Sequence, residues 1–347
     1  MLKVVFDTSP LSSASKYRGI GRYSESLIQA LKKTKKIELI EMSAKNIPSS
    51  VNLVHYPFFD FFFLSLPILK KTKTIVTIHD CTPLVFPKYF PAGLKGKIKF
   101  NLQRLALKGV SAIITDSQSS KKDIVKFLKV PREKINVVYL AAEENCKKLS
   151  VSESQKNNLF KKYDLKNNFV LYVGDVNYNK NLAGLLRAFS QQKTNLDLVL
   201  VGKVFENSRQ KEVIEIQKLI AGLKIKERVK ILGFVSSFEL VLFYNLAFLY
   251  CQPSFYEGFG LQILEAMACG CPVITSNLSS LPEIAGKSAL LINPNDIASI
   301  SQAINKISDD ESFRKKMIES GLVQVKKFSW EKTAQETIKI YEKILQA

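Results

Sequence analysis

The chain has 347 residues, 46% of them hydrophobic and 24% charged. It is too long for one ordinary core of about 100–200 residues and too apolar to stay disordered, so two domains of similar size are expected. The formal net charge is +20, no proline-rich, glycine-rich or repetitive tract is present, and the five cysteines (Cys81, Cys146, Cys251, Cys269, Cys271) form no CxxC pair. These features speak against a solenoid, a disulfide framework and a cysteine-ligated metal, and fit a reducing cytosol.

The chain opens on "MLKVVFDTSP", read as a strand with no charged leader or apolar signal core before it, so export is not expected. Further strand candidates follow as "NLVH", "KTIVTIHD", "SAIITDS" and "KINVVYL", alternating with helical patterns such as "GRYSESLIQALKK" and "SQSSKKDIVKFLKV". That alternation predicts a parallel sheet covered by helices on both faces. The polar stretch "AEENCKKLSVSESQKNNLFKKYDLKNN" (142–168) reads as the domain junction. A second series then runs through "NFVLYVGD", "LDLVLVGK", "RVKILGF", "LAFLYCQ", "CPVITSN" and "SALLIN". The last segment carries Trp330, Ala334, Ile338, Tyr341 and Leu345 at helical spacing, with Ser329 as N-cap. The expected division is an N-terminal domain over 1–165, a C-terminal domain over 166–328 and a terminal helix over 329–347 crossing back to the first. Two tandem doubly wound (Rossmann-like) α/β domains would face a cleft at the carboxyl ends of their sheets, where such folds bind ligands.

Residues 1–165 carry 29 Lys and Arg against 13 Asp and Glu (+16), and the remainder 22 against 18 (+4), so the basic excess sits in the first half. Solvated lysines explain each cluster by itself. Summed on one domain, they would also attract an anionic membrane face at about 1 kcal/mol per basic residue. The aromatic run "HYPFFDFFFLSLP" (55–67) beside "KKTK" suits either an interfacial contact or core packing. The longest nearly uncharged runs, 61–69 and 240–256, are too short or too interrupted to span a bilayer. A nucleic-acid binder is the rival suggested by charge, but the aromatic residues do not interleave with the lysines, so stacking platforms are not seen.

The most informative stretch is "SFYEGFGLQILEAMACGCPVIT" (254–275). Leu261, Leu264 and Met267 predict a helix from about Gly260 to Gly270, stopped by Pro272 and opening at the carboxyl edge of a strand. A helix start there offers unpaired N–H groups and partial positive charge to an anion, and Gly258 and Gly260 let a phosphate approach the main chain. Glu265, one turn in, can accept both hydroxyls of a ribose, while Glu257 would lie across the phosphates from it. The bland alternative is a pair of acidic residues favouring the helix dipole.

Segments 253–277 and 279–296 together resemble the signature of the group 1 glycosyltransferases, retaining sugar-nucleotide transferases of the two-domain GT-B architecture. "YVGDVNYNKN" (172–181), "LVLVGK" (198–203), "ILGFVSSFEL" (231–240) and "FSWEK" (328–332) match in order, as do "RGIGRY" (18–23), "TIHDCTPLVFP" (77–87) and "TDSQSSKKDI" (115–124). The resemblance implies a nucleotide sugar on the second domain and an acceptor on the first. It gives Glu265 the ribose, the donor contacts to Gly174 and to Gly258, Phe259, Gly260 and Leu261, the diphosphate to Lys180, and the donor sugar to Glu257 and His79. Gly19, Gly21 and Asp80 fall on the acceptor side, and the leaving phosphate itself would take the acceptor proton. Where relatives place an arginine beside the lysine, this chain has Asn179 and Asp175; Asp175 is expected to turn away or cap the next helix. A weakly active member is therefore the alternative within the family. "RGIGRY" lacks the third glycine of a dinucleotide fingerprint, which disfavours hydride transfer.

With no Asp-x-Asp motif and two histidines, the chain is expected to need no metal and no cofactor. The expected activity moves a hexose, mannose from GDP-mannose first and a UDP-linked hexose second, to a glycan or lipid-linked acceptor. It would act in the cytoplasm, with peripheral contact at the inner membrane face and no nucleic-acid partner. His55 is expected to be structural.

Overall fold

The computed structural model describes residues 1–12, 19–44, 46–166, 168–192 and 194–346. They fall into two compact units, Met1–Ala141 with Phe328–Ala347, and Ala142–Lys327. The chain thus passes between units at 141 and 328, not at 165. The cause is a helix, Glu153–Tyr163, inside the polar junction segment. Its one buried side chain, Leu159, joins the same core as Phe169 and Phe243 of the second unit.

Both sheets are parallel and six-stranded. In the first unit, β1 (Leu2–Asp7), β2 (Ile37–Met42), β3 (Leu53–Tyr56), β4 (Lys73–Thr77), β5 (Ala112–Thr115) and β6 (Ile135–Val137) stand in the order β2-β1-β3-β4-β5-β6. Val5 pairs with Ile40 of β2 on one side and Val54 of β3 on the other. In the second unit, β7 (Phe169–Val173), β8 (Asp197–Val201), β9 (Val229–Leu232), β10 (Leu249–Gln252), β11 (Val273–Ser276) and β12 (Leu290–Ile292) stand in the order β12-β11-β10-β7-β8-β9. The winding direction therefore reverses between β1 and β3 in one sheet and between β7 and β10 in the other. Doubly wound sheets bind ligands outside the carboxyl ends of the strands at such reversals.

The uninterrupted apolar runs of the strands follow from burial on both faces. Val170, Tyr172, Leu198 and Leu200 pack on one side with Leu185, Phe189, Ile300 and Ile304, whereas Phe169, Leu171, Val199 and Val201 pack on the other with Phe243, Ile263 and Met267. Successive side chains of a strand alternate faces, so one run feeds both cores.

The terminal helix Trp330–Gln346 packs within the first unit and buries Ala334, Ile338 and Tyr341. Ser329 caps it, its Oγ accepting from the Lys332 N–H at 3.2 Å. A buried polar chain ties this helix to the sheet: Tyr341 Oη meets His55 Nδ1 at 2.7 Å, His55 Nε2 meets Thr77 Oγ1 at 2.8 Å, and Thr77 Oγ1 meets Tyr23 Oη at 3.0 Å. Burial, with the charge of His79 second, pushes the His55 pKa down to about 3, so the ring stays neutral and structural. Among the described residues, no helix is long and apolar enough to cross a membrane.

Candidate active site

The site in the second unit grows from the two loops that leave the sheet at its reversal, one after β7 and one after β10. The β10 loop holds Glu257, which is 8% exposed. Its Oε1 accepts from Gln252 Nε2 at 2.7 Å, Ser254 Oγ at 2.7 Å and Lys180 Nζ at 2.8 Å; Oε2 accepts from the same ammonium at 2.8 Å. A buried carboxylate persists only when paired and fully hydrogen-bonded, and this one has four bonds from three donors. The Lys180 ammonium keeps one donor beyond its two bonds to Glu257, which is what a phosphate oxygen would require.

The β7 loop is built to hold Lys180 against that carboxylate. Tyr178–Lys180 forms a single 3-10 turn. Asn179 is buried: its carbonyl accepts from the Phe255 N–H at 2.8 Å and its Nδ2 donates to the Tyr256 carbonyl at 3.0 Å. It therefore clasps the two loops together. Asn181, at φ 52°, caps the next helix by accepting from the Gly184 N–H at 3.2 Å, while its Nδ2 donates to the carbonyls of Pro253 at 3.0 Å and Pro294 at 2.8 Å. The cap of the helix Leu182–Ser190 is thus Asn181 and not Asp175, because Asn181 stands directly before the helix and its side chain reaches the N–H of the third helical residue, Gly184. Gly174 directly follows β7 and donates its N–H to Val201 O at 2.9 Å. A Cβ on Gly202 would lie 2.2 Å from the Gly174 carbonyl, which makes Gly202 the more constrained of the two.

Helix Leu261–Ala268 opens at Gly260, whose φ of 97° lies in the left-handed region. Gly258, Phe259 and Gly260 are buried and Leu261 is half-buried. Two serines pin this turn: Ser279 Oγ accepts from the Glu257 N–H at 2.9 Å, and Ser280 Oγ lies 2.9 Å from the Glu257 carbonyl and 3.0 Å from that of Phe259. The helix ends through Gly270, φ 74°, with the Cys271 N–H on the Ala266 carbonyl at 2.9 Å. Glu265 is 2% exposed, and its Oε2 accepts from Tyr244 Oη at 2.9 Å. Sequence reasoning passed over Gln252, Ser254, Ser279, Ser280 and Tyr244, which orient the two glutamates. Only the serines had a signal, Ser254 inside the quoted segment 253–277 and Ser279 and Ser280 inside 279–296.

The remaining candidates lie in the first unit. His79 follows β4 and directs both ring nitrogens at acceptors, Nδ1 at Asp116 Oδ2 (2.7 Å) and Nε2 at the Pro57 carbonyl (3.1 Å). Two acceptors require two N–H donors, so the geometry selects the imidazolium. Burial works against that charge, but the Asp116 carboxylate, with Asp80 and the Pro57 carbonyl, outweighs it and raises the His79 pKa. A histidine raised in this way contributes stability below about 6.5, its unfolded value, and loses it as pH rises through the folded value. In an NMR titration His79 is expected to change protonation above pH 6.5, and Asp116→Asn to move that midpoint downward; an unshifted midpoint in the variant would remove Asp116 from the account. Asp80 Oδ1 accepts from the Thr82 N–H at 2.7 Å. Gly19 and Gly21 stand in the first turn of the helix Gly19–Thr34, and Arg18 lies outside the described residues. Among the described residues, no three His, Cys, Asp or Glu side chains converge as metal ligands.

Over its full length the chain superposes on sucrose-phosphate synthase from Thermosynechococcus elongatus, with TM-score 0.80, 19% identity and 100% of both chains covered. HepE from Anabaena, solved in complex with UDP and glucose, gives TM-score 0.76 and 18% identity over 99% of this chain and 100% of its own. Identities this low speak for the fold alone: the protein is of the GT-B class, two doubly wound α/β domains in tandem. The model for glycosyl transferases group 1 matches residues 154–324, and that for glycosyltransferase family 4 matches 38–143. O-antigen chain mannosyltransferase B of Escherichia coli is 32% identical over 278 residues, 78% of this chain and 70% of that protein. The serotype-specific mannosyltransferase WbdA, also of Escherichia coli, is 30% identical over 79% of this chain, which spans about a third of its length (34%). The chain belongs to the group 1 glycosyltransferases and is a transferase, with mannosyltransferases among its relatives.

Proposed function

We propose that the protein transfers a hexose, mannose in the first instance, from a nucleoside-diphosphate sugar to a glycan or lipid-linked acceptor with retention at the anomeric carbon. The observation that carries this reading is the Lys180–Glu257 pair held beside the N-terminus of the helix Leu261–Ala268. Diphosphate departure needs positive charge where negative charge develops. A lysine with a spare donor and a row of helix N–H groups supply it without a metal, so neither metal nor organic cofactor enters the proposal. In this reading Glu265 takes the ribose, Gly258 to Leu261 the phosphates, and Gly174 the close approach of the donor. The matched mannosyltransferases support mannose, and HepE with UDP and glucose supports a nucleotide-linked donor. GDP-mannose is placed first among donors and UDP-hexoses second. The protein would work in the cytoplasm, with its basic first unit against the inner face of the membrane.

A panel of nucleotide sugars screened by thermal shift, followed by slow donor hydrolysis with and without chelator, tests this. One donor is expected to raise the melting temperature and to be hydrolysed equally in both conditions. No stabilising donor, or hydrolysis abolished by chelator, would contradict it. Glu265→Ala is expected to raise donor KM by one to two orders of magnitude with a small change in kcat, because ribose contacts hold ground and transition states alike. Donor KM and kcat measured together decide the point.

A further inference from the structure

The second unit keeps its candidate site at the reversal of its sheet. The corresponding place in the first unit, beyond the carboxyl ends of β1 and β3, holds a cavity of about 900 Å3. Its strand-end wall is polar. Asp7, the last residue of β1, is 9% exposed and fixed through Oδ1, which accepts from Ser9 Oγ at 2.7 Å, the Ser9 N–H at 3.3 Å and the Ala44 N–H at 3.0 Å. Beside it stands Tyr56, the last residue of β3, 4% exposed and with no hydrogen-bond partner for its hydroxyl among the described residues. A buried hydroxyl without a partner is unfavourable, and an acceptor supplied from the cavity would relieve it. Burial, and the Asp7 charge after it, push the phenol up to about 12, which keeps it a donor at neutral pH.

The loop wall is apolar. Leu64, Ile68 and Leu69 all line the cavity and are 62%, 45% and 87% exposed. One exposed aliphatic side chain is ordinary, but three grouped at the mouth of a cavity form a patch that asks for an apolar partner. The wall is also anchored, since the Lys70 ammonium donates to the carbonyls of Pro67, Ile68 and Ala106, the last at 2.6 Å. Ligand sites of this size are mostly pre-formed and apolar with a few placed polar groups.

We infer that this cavity binds an amphiphile, a hydroxyl-bearing headgroup on a hydrocarbon chain, the form taken by a sugar carried on a lipid. A head hydroxyl donates to Asp7 and accepts from Tyr56, and the chain lies over Leu64, Ile68 and Leu69. The inference rests on the transfer reading above, for which it supplies the acceptor class: a lipid-borne acceptor and not a free oligosaccharide.

The test uses the octyl and methyl glycosides of mannose and glucose as probes, below the micellar concentration, with affinity read by calorimetry on the full chain. For at least one sugar the octyl form is expected to bind at least tenfold more tightly than the methyl form. The double substitution Leu64→Gln and Leu69→Gln, at exposed positions the fold does not need, is expected to erase that advantage, and Tyr56→Phe to weaken the octyl glycoside three- to tenfold. Equal affinity of octyl and methyl forms for both sugars overturns the inference, as does an octyl advantage that survives the double substitution. Nucleotide binding to the same wild-type sample separates the two failures. Nucleotide without octyl glycoside defeats only the amphiphile site, while absence of both defeats the transfer reading as well.

Discussion

Glu257→Gln is expected to lower kcat by a factor of about 10²–10³, the range found when a preorganised electrostatic group is removed from a transfer site. Glutamine preserves the shape, and its amide oxygen can still accept from Ser254 Oγ and Gln252 Nε2. What it removes is the charge that fixes Lys180, which bonds both carboxylate oxygens at 2.8 Å. The ammonium then loses its defined position beside the helix start, and stabilisation of the departing diphosphate falls with it. Donor KM should change by much less than kcat, because the nucleotide contacts assigned to Glu265 and the glycine turn remain. Steady-state kinetics with the melting temperature measured alongside decide the matter. Wild-type kcat in a folded variant would dismiss the role given to the pair.

Gly260→Ala is expected to destabilise the second unit by about 1–3 kcal/mol, the cost of holding a residue with a side chain in a sparsely populated backbone conformation. Gly260 sits at φ 97°, and a Cβ there would come 2.9 Å from Leu281 Cδ2 in the core. For a unit of this size that is a fall of roughly 3–10 °C in melting temperature. The same change moves the N–H groups that open the helix Leu261–Ala268, so donor affinity should fall at least tenfold. Gly222→Ala is the control: nothing lies within 4 Å of a Cβ at that position. It is the last residue of a helix, where alanine is tolerated and its advantage over glycine is smaller than the roughly 0.5–1 kcal/mol of a helix interior. Equal melting temperatures for the two variants would show that the turn tolerates a side chain.

Most strands could be read from the sequence because each is buried on both faces and appears as an unbroken apolar run. β2 escaped for the opposite reason. "IELIEM" lies at the sheet edge beside a lysine run, and only its first residue is buried. The helix Glu153–Tyr163 escaped because it buries one leucine, which moved the expected boundary from 141 to 165. The aromatic run divides by position: Phe59 and Phe61 are core residues at 3% and 6% exposure, while Phe63 is 66% exposed. Core packing and surface display are therefore both present within a few residues, and composition alone does not separate them.

At the site, the glycine turn and the two glutamates were legible because helix-stop chemistry and their spacing are local. The groups that hold them were not. Ser279 reaches Glu257 across 22 residues, and Asn179 reaches Tyr256 across 77. The first contact follows from the β10–β11 adjacency and the second from the β7–β10 adjacency, which only the sheet order supplies. Asn179 shows the consequence: read along the chain it replaces an arginine, and in the fold it joins the two loops that carry Lys180 and Glu257.

A crystal structure of the protein with a non-hydrolysable nucleotide sugar would show whether the donor diphosphate sits on the glycine turn. The diphosphate is expected at the N-terminus of the helix Leu261–Ala268, with Lys180 Nζ within about 3 Å of a phosphate oxygen and the ribose on Glu265. A nucleotide bound elsewhere, with that turn empty and Lys180 still committed only to Glu257, would contradict it.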